Sequence, residues 1–510
     1  MYKLLRAVFL IVFSGFTDQN LICAAALPGD SIKPVSVEFD VSDASDGQRT
    51  ACRIHIQNHE GKRVRPTGLM QPYWHDHFVC DGNATFLLPP GEYRYEAERG
   101  PEYLSARDTF VVNSDTVTRI PVSLKRLVKL TDEGWWSGET HVHRPLKEVP
   151  LLMSAEDLHV ASVITWWNDQ NSWQNQSVPA EAVSVVDGDR VFDAMGGEDE
   201  RGGGALLFSG LKSPLPIAGS AREFPTSLHW LNEAKQQGAW IDAEKPFWWD
   251  FPVWLSTGQI DSIGIANNHM NRSQMYPNEA WGKARNLDEF PEPLGNGFWT
   301  QSIYYHALNA GFRIPPSAGS ASGVLPNPVG YNRMYAQLDG EFSHAAWWKA
   351  VKAGRVFVTN GPLPRLKAGG FDPGHVFQSD QPIDLIVDGP ITSRDTITAI
   401  ELVRDGRVER LTSLPATIRI ERSGWFLVRV LTDVAHTFRF ASTAPWYVEV
   451  GGRPHPVRRT SCEFFQRWTE ERIEQLHQKV VTDSQRQQVL PVFENAARFW
   501  ADRAAAATAE

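Results

Sequence analysis

Cysteine is scarce in this chain, with four in 510 residues. Cys23 falls in an N-terminal leader, which leaves Cys52, Cys80 and Cys462, too few for a cysteine-ligated metal cluster. Cys52 and Cys80 share one strand-rich stretch, where a disulfide and two buried thiols fit the spacing equally, because spacing does not set geometry. A membrane-spanning run is missing as well. The apolar stretch Ala7 to Phe16 falls short of the ~20 residues that cross a bilayer. Basic excess is absent: 50 Lys+Arg against 60 Asp+Glu give a formal charge of -10, with no basic stripe. That balance argues against nucleic acid and anionic membrane surfaces as partners. No internal repeat or long low-complexity tract is evident.

What the chain does have starts with its leader. Lys3 and Arg6 precede the apolar run, and Ala24-Ala25-Ala26 follows it as a small-residue cleavage site. Residues 1–26 therefore read as a signal peptide, and the mature protein as exported, periplasmic or extracellular, with no stable membrane insertion. Ile22 is too large to precede a lipidated Cys23, so simple cleavage near Ala26 is expected. With 42% hydrophobic and 22% charged residues, the remainder is a multi-domain globular chain.

Its rhythm changes three times. Residues 32–125 alternate apolar and polar positions, as in Val35 to Val41 and Cys52 to Ile56, and predict an N-terminal β-sandwich. Residues 127–360 alternate strand and helix, with Gly238, Gly311 and Gly354 closing helices, and predict parallel strands in a (β/α) barrel. Residues 361–455 return to strands and predict a second sandwich, and residues 460–510 read as a helical tail. The fold class expected is thus α/β, a barrel flanked by two β-sandwich domains.

The chemistry gathers at strand ends of the middle region, where barrel enzymes carry their active sites. In Gly138-Glu-Thr-His-Val-His143, residues two apart on a strand face one side, so His141 and His143 present two imidazoles to one point. Gly196-Gly-Glu-Asp-Glu200 offers Glu198 as a further ligand, and His269 follows the buried-looking run Asp261 to Ala266. Asp169, Glu244 and Lys245 sit at other strand ends as candidate catalytic groups. His141, His143, Glu198 and His269 would hold a divalent ion, with zinc, manganese or iron all suited to such N and O donors. Each residue also has an ordinary reading, as a polar strand end, a solvated acidic loop or a surface ion pair. The 19 tryptophans include the pairs Trp135-Trp136, Trp166-Trp167 and Trp248-Trp249, which either line a cleft or pack the barrel.

At this point the run Gly-Glu-Thr-His-Val-His resembles the opening motif of the PHP metallohydrolase superfamily. The later landmarks Ala243-Glu-Lys-Pro-Phe-Trp-Trp249, Ala266-Asn-Asn-His269, Pro315 to Gly323 and Pro328-Val-Gly-Tyr-Asn-Arg333 look like its exported CehA/McbA-type branch. The resemblance implies a distorted (β/α)7 barrel whose metals activate water against a small ester, amide or phosphoester. Three departures stand out. The family's Thr-Asp-His is Trp167-Asn-Asp169 here, its His-Pro is Lys245-Pro246 after Glu244, and its Gly-Ser-Asp-x-His is Gly319-Ser-Ala-Ser-Gly323. They imply a reduced ligand set, and keep open a second expectation: a catalytically degenerate barrel that binds a carbohydrate or other small ligand.

Overall fold

The structure, a computed structural model, describes residues 33–510; the expected signal peptide lies outside the described residues. It is a mixed α/β molecule, mostly sheet, with seven α-helices among the described residues.

The N-terminal strands form two sheets facing across a shared core. Val35–Asp43 pairs with Asn83–Leu88 and Thr118–Leu124, while Cys52–Asn58 lies between His77–Cys80 and Gly91–Glu98 in a five-stranded sheet. Strict alternation drives this: Ile120, Val122 and Leu124 point inward while Pro121 and Ser123 face water. Phe39, Ile54, Phe86 and Tyr95 fill the space between the sheets. Cys52 and Cys80 are direct cross-strand partners, both buried, with their sulfurs 3.9 Å apart.

The middle region builds a closed strand circuit. Its strands, in order, are Trp135–Val142, Val160–Trp167, Val191–Arg201, Gly204–Ser209, Trp240–Ala243, Ser262–Ala266 and Pro316–Ala318, here called the first to seventh barrel strands. Each hydrogen-bonds to the next. The chain beyond the seventh strand returns to the first through the Val142/Ser322 bridge, where the His143 amide donates to the Ser322 carbonyl at 2.8 Å. Helix α1 (Val149–Glu156) joins the first two strands, and α2 (Ser227–Gln237), α3 (Phe251–Ser256) and α4 (Gly295–Asn309) join the later ones.

This departs from the regular β/α alternation that the sequence predicts. No helix links the second strand to the third, and the third and fourth form an antiparallel hairpin. The cause is the Gly202-Gly203-Gly204 run at its tip. A Cβ on Gly203 would stand 1.9 Å from an Asp250 carboxylate oxygen, and one on Gly204 2.2 Å from the Trp248 ring, so only glycine lets the hairpin press this close.

The C-terminal strands are likewise not a free-standing unit. Val356–Thr359 pairs with the barrel-side strand Arg333–Gln337 and with Phe440–Thr443, making one continuous ladder. A second small sheet, Lys367–Ala368, Ile383–Asp388 and Ala416–Ile420, covers it over a core of Leu385, Ile418, Phe426 and Trp446. Helix α5 (His344–Lys352) connects two strands of this ladder, Arg333–Gln337 and Val356–Thr359, with Trp347 buried under the first barrel strand. The tail is the helix pair α6 (Arg459–Lys479) and α7 (Asp483–Ala505), laid against α3. No helix among the described residues is long and apolar enough to cross a membrane.

Candidate metal centre

The first barrel strand carries His141, and His143 follows just past its end, so the pleat sends both rings to one side. The result is close: the two Nε2 atoms are 2.9 Å apart. Glu198, near the end of the third strand, completes a triad. Its Oε2 lies 3.2 Å from His143 Nε2 and 3.5 Å from His141 Nε2. Zinc bonds of about 2.0–2.1 Å put tetrahedral ligands roughly 3.3 Å apart, so these separations match the span of one ion. The chain after the seventh strand packs on the pair from behind. A Cβ on Gly319 would lie 2.5 Å from the His141 Cβ, and Gly323 holds φ +105 with its α-carbon against His143. Glu139, buried between the histidines' strand and that chain, accepts from the amides of Ser320 (2.8 Å) and Gly330 (2.5 Å) and so pins both loops.

Around the triad sits a further ring of charge. Glu244 Oε1 is 3.4 Å from His141 Nδ1, and the same carboxylate takes bonds from Asn268 Nδ2 (2.8 Å), Trp248 Nε1 (2.9 Å) and Lys245 Nζ. Lys245 is itself buried over the Trp248 ring. Burial disfavours a charge on His141, but Glu198 and Glu244 outweigh it and lift its pKa to about 10. Burial lowers that of His143, and the charge on His141 pushes it the same way. Burial, followed by the charges of Glu198 and Glu244, raises Glu200 to about 8, so it keeps a proton at neutral pH. Trp167 Nε1 donates to Glu200 Oε2 at 3.0 Å, and the Trp167 ring stands edge-on to His143 at 5.0 Å.

Of the residues predicted from sequence, the structure brings together His141, His143 and Glu198, with Glu244 and Lys245 alongside. His269 is buried nearby but outside the triad. Its Nδ1 stands 3.1 Å from the Asn278 carbonyl, a bond it can only donate, which leaves Nε2 as an acceptor. Burial and the Lys245 charge lower its pKa to about 3, so the ring is neutral. Asp169 is not at the centre. It faces solvent and accepts from the Gly219 amide at 2.8 Å. The chain turns at Asn168, in the left-handed region at φ +48, whose side chain takes the Glu200 amide, and this turn swings Asp169 outward. Glu200, Asn268 and Glu139 were not singled out from sequence. Glu200 lies two residues beyond Glu198 on the same strand, the one signal that pointed to it.

No family model matches this chain, and no curated protein does. Among solved structures, the Bacillus anthracis TIE protein matches at 21% identity over 22% of this chain and 19% of its own, with a TM-score of 0.15. Fibronectin(III)-like modules of Clostridium thermocellum CbhA match at 13% identity over 16% of this chain and 94% of theirs, TM-score 0.13. A pilus-presented adhesin matches at 10% identity over 19% of this chain and 27% of its own, TM-score 0.15. Likenesses of this extent carry no argument about the barrel or its centre.

Proposed function

We propose that this chain is an exported, PHP-like metal-dependent hydrolase acting on a small ester, amide or phosphoester. The observation that supports it best is the meeting of His141 Nε2, His143 Nε2 and Glu198 Oε2 within the span of one ion. These donors suit zinc, manganese or iron, with His269 Nε2 as a nearby further imidazole. When bound, such an ion supplies a water of lowered pKa and polarises the substrate oxygen. The chain's own groups do the rest. Glu244, fixed by Asn268, Trp248 and Lys245, orients His141 through Nδ1. Protonated Glu200, two residues beyond Glu198 on the same strand, would hand a proton to a leaving group, and Lys245 would steady a developing negative charge. Trp167, edge-on to His143, would shield that side of the centre from water.

A second reading has its own support. Gly319 to Gly323 brings neither carboxylate nor imidazole to the triad, and Asp169 turns away, so the barrel would bind a carbohydrate or other small ligand without turning it over. Metal analysis by mass spectrometry separates the two. Hydrolysis predicts about one equivalent of a transition ion in the barrel, lost in a His141→Ala/His143→Ala double variant together with activity in an ester and phosphoester screen. Metal uptake indifferent to that double change would sink the hydrolase reading.

A further inference from the structure

A second cluster of histidines lies in the N-terminal sandwich, away from the barrel centre. Trp74-His75-Asp76-His77 repeats the His-x-His spacing of the barrel motif, but on a tight turn, with His75 in the left-handed region at φ +52. The turn wraps the imidazoles around the carboxylate between them. His77 Nδ1 is 3.1 Å, His55 Nδ1 3.4 Å and His75 Nδ1 3.7 Å from the same Asp76 Oδ1. His55 comes from the neighbouring strand Cys52–Asn58, where it is the cross-strand partner of His77.

A role confined to pinning the turn needs one hydrogen bond to that oxygen. Two ring nitrogens, of His77 and His55, stand within reach of it instead, with the His75 nitrogen just beyond. His55 raises a sharper difficulty. It is 6% exposed, and its Nε2 is buried with no hydrogen-bond partner, 3.8 Å from Glu98 Oε2. A neutral imidazole carries one N–H, yet both His55 nitrogens face carboxylates. Whichever nitrogen holds the proton, the other turns a bare lone pair toward a carboxylate oxygen. Protonating the ring would instead add charge beside Arg53 and Arg272, which already hold Glu98. A cation between His55 Nδ1, His77 Nδ1 and Asp76 removes the conflict, because it turns the two nearer ring nitrogens and the carboxylate into ligands and leaves the Nε2 proton for Glu98. The opening beside it is a pocket of about 360 Å³, lined by His55 and Asp76 with Arg94, Arg107 and Arg272. A cation there keeps a free position that a water or small anion can fill.

We propose that His55, Asp76 and His77 form a second metal site, open to a pocket on the N-terminal sandwich that Arg272 of the middle region borders, that takes a borderline divalent ion such as zinc. Two imidazoles and one carboxylate with an open fourth position are a donor set that zinc accepts. The site does not depend on the barrel reading.

The test counts equivalents in the full chain, with zinc by mass spectrometry and cobalt(II) by its visible absorption. In the His141→Ala/His143→Ala background, about one equivalent remains, and cobalt gives the intense bands of a four-coordinate site. Adding His55→Gln/His77→Gln removes it, and in the otherwise native chain this second pair lowers uptake by one equivalent. Asp76→Asn, isosteric and at a partly exposed position, weakens zinc binding more than tenfold with circular dichroism unchanged. Should the barrel centre hold no metal, the native chain still binds one equivalent, lost only with His55 and His77. Zinc uptake that is the same with and without His55 and His77, or an Asp76→Asn affinity equal to native, overturns the proposal.

Discussion

Set side by side, the barrel triad and the sandwich cluster pose one electrostatic problem and answer it in opposite ways. In each, one buried histidine has a carboxylate against both ring nitrogens: His141 between Glu198 and Glu244, and His55 between Asp76 and Glu98. In the barrel the carboxylates win. They outweigh burial, and without metal the His141 ring holds its proton to about pH 10. In the sandwich burial and the Arg272 charge win, and His55 is pushed below its ordinary pKa despite Asp76. The lesson is that histidines and carboxylates alone do not set a site's charge; burial and the balance of surrounding charges decide it.

The comparison can be broken at several points. The largest effect is expected from Glu98→Ala. Glu98 is buried and takes bonds from Arg53 (2.5 Å), Arg272 (2.8 Å) and Arg394 (3.0 Å), so removing it leaves buried guanidiniums short of a partner. A loss of about 3–5 kcal/mol is expected in urea unfolding, typical of a broken buried pair. In the barrel, Glu198→Gln should weaken zinc binding more than about 100-fold, beyond the range of outer groups, while the uptake assigned to His55 and His77 stays as it was. Competition titration with a chromophoric chelator reads both. Glu244→Gln keeps the triad but loses the charge behind His141, and a drop of roughly tenfold in metal affinity or turnover is expected.

The smallest effect concerns pH at a histidine outside both centres. His159 is buried with its pKa lowered to about 4, first by burial and then by Arg190, against an unfolded value of about 6.5. Between those values only the unfolded chain takes the proton. Stability is therefore full above about pH 6.5 and drains as pH falls toward 4. Thermal melts should show this acid slope flattened in His159→Gln. A slope equal to native would mean that His159 does not contribute to it.

Much of this was legible in the sequence because it depends on local pattern. Alternation in Thr118–Leu124 named a half-buried strand, and the spacing of His141 and His143 named two rings on one side. Glu198 was legible as a strand-end carboxylate. Asp169 misled because a strand-end position says nothing of the turn that follows, and the left-handed Asn168 reverses its direction. Glu200 escaped because its proton depends on burial and on the charge of Glu244, brought from beyond the fifth barrel strand, as well as on Glu198. The hairpin after Arg201 escaped because glycine reads as a loop until the side chains it admits, Asp250 and Trp248, are known. The second His-x-His, at His75 and His77, was in plain view; its meaning depends on His55, twenty residues earlier in sequence and opposite in the sheet.

By itself, then, the sequence determined which regions are strand-rich and which carry helices, and which side chains are of metal-ligating type, since propensity, period and side-chain type act within a few residues. Only the tertiary structure decided which of those groups meet, which carry protons and which face water. Those outcomes rest on burial and on charges brought from distant strands, and Coulomb interactions and desolvation depend on distance in space, not along the chain.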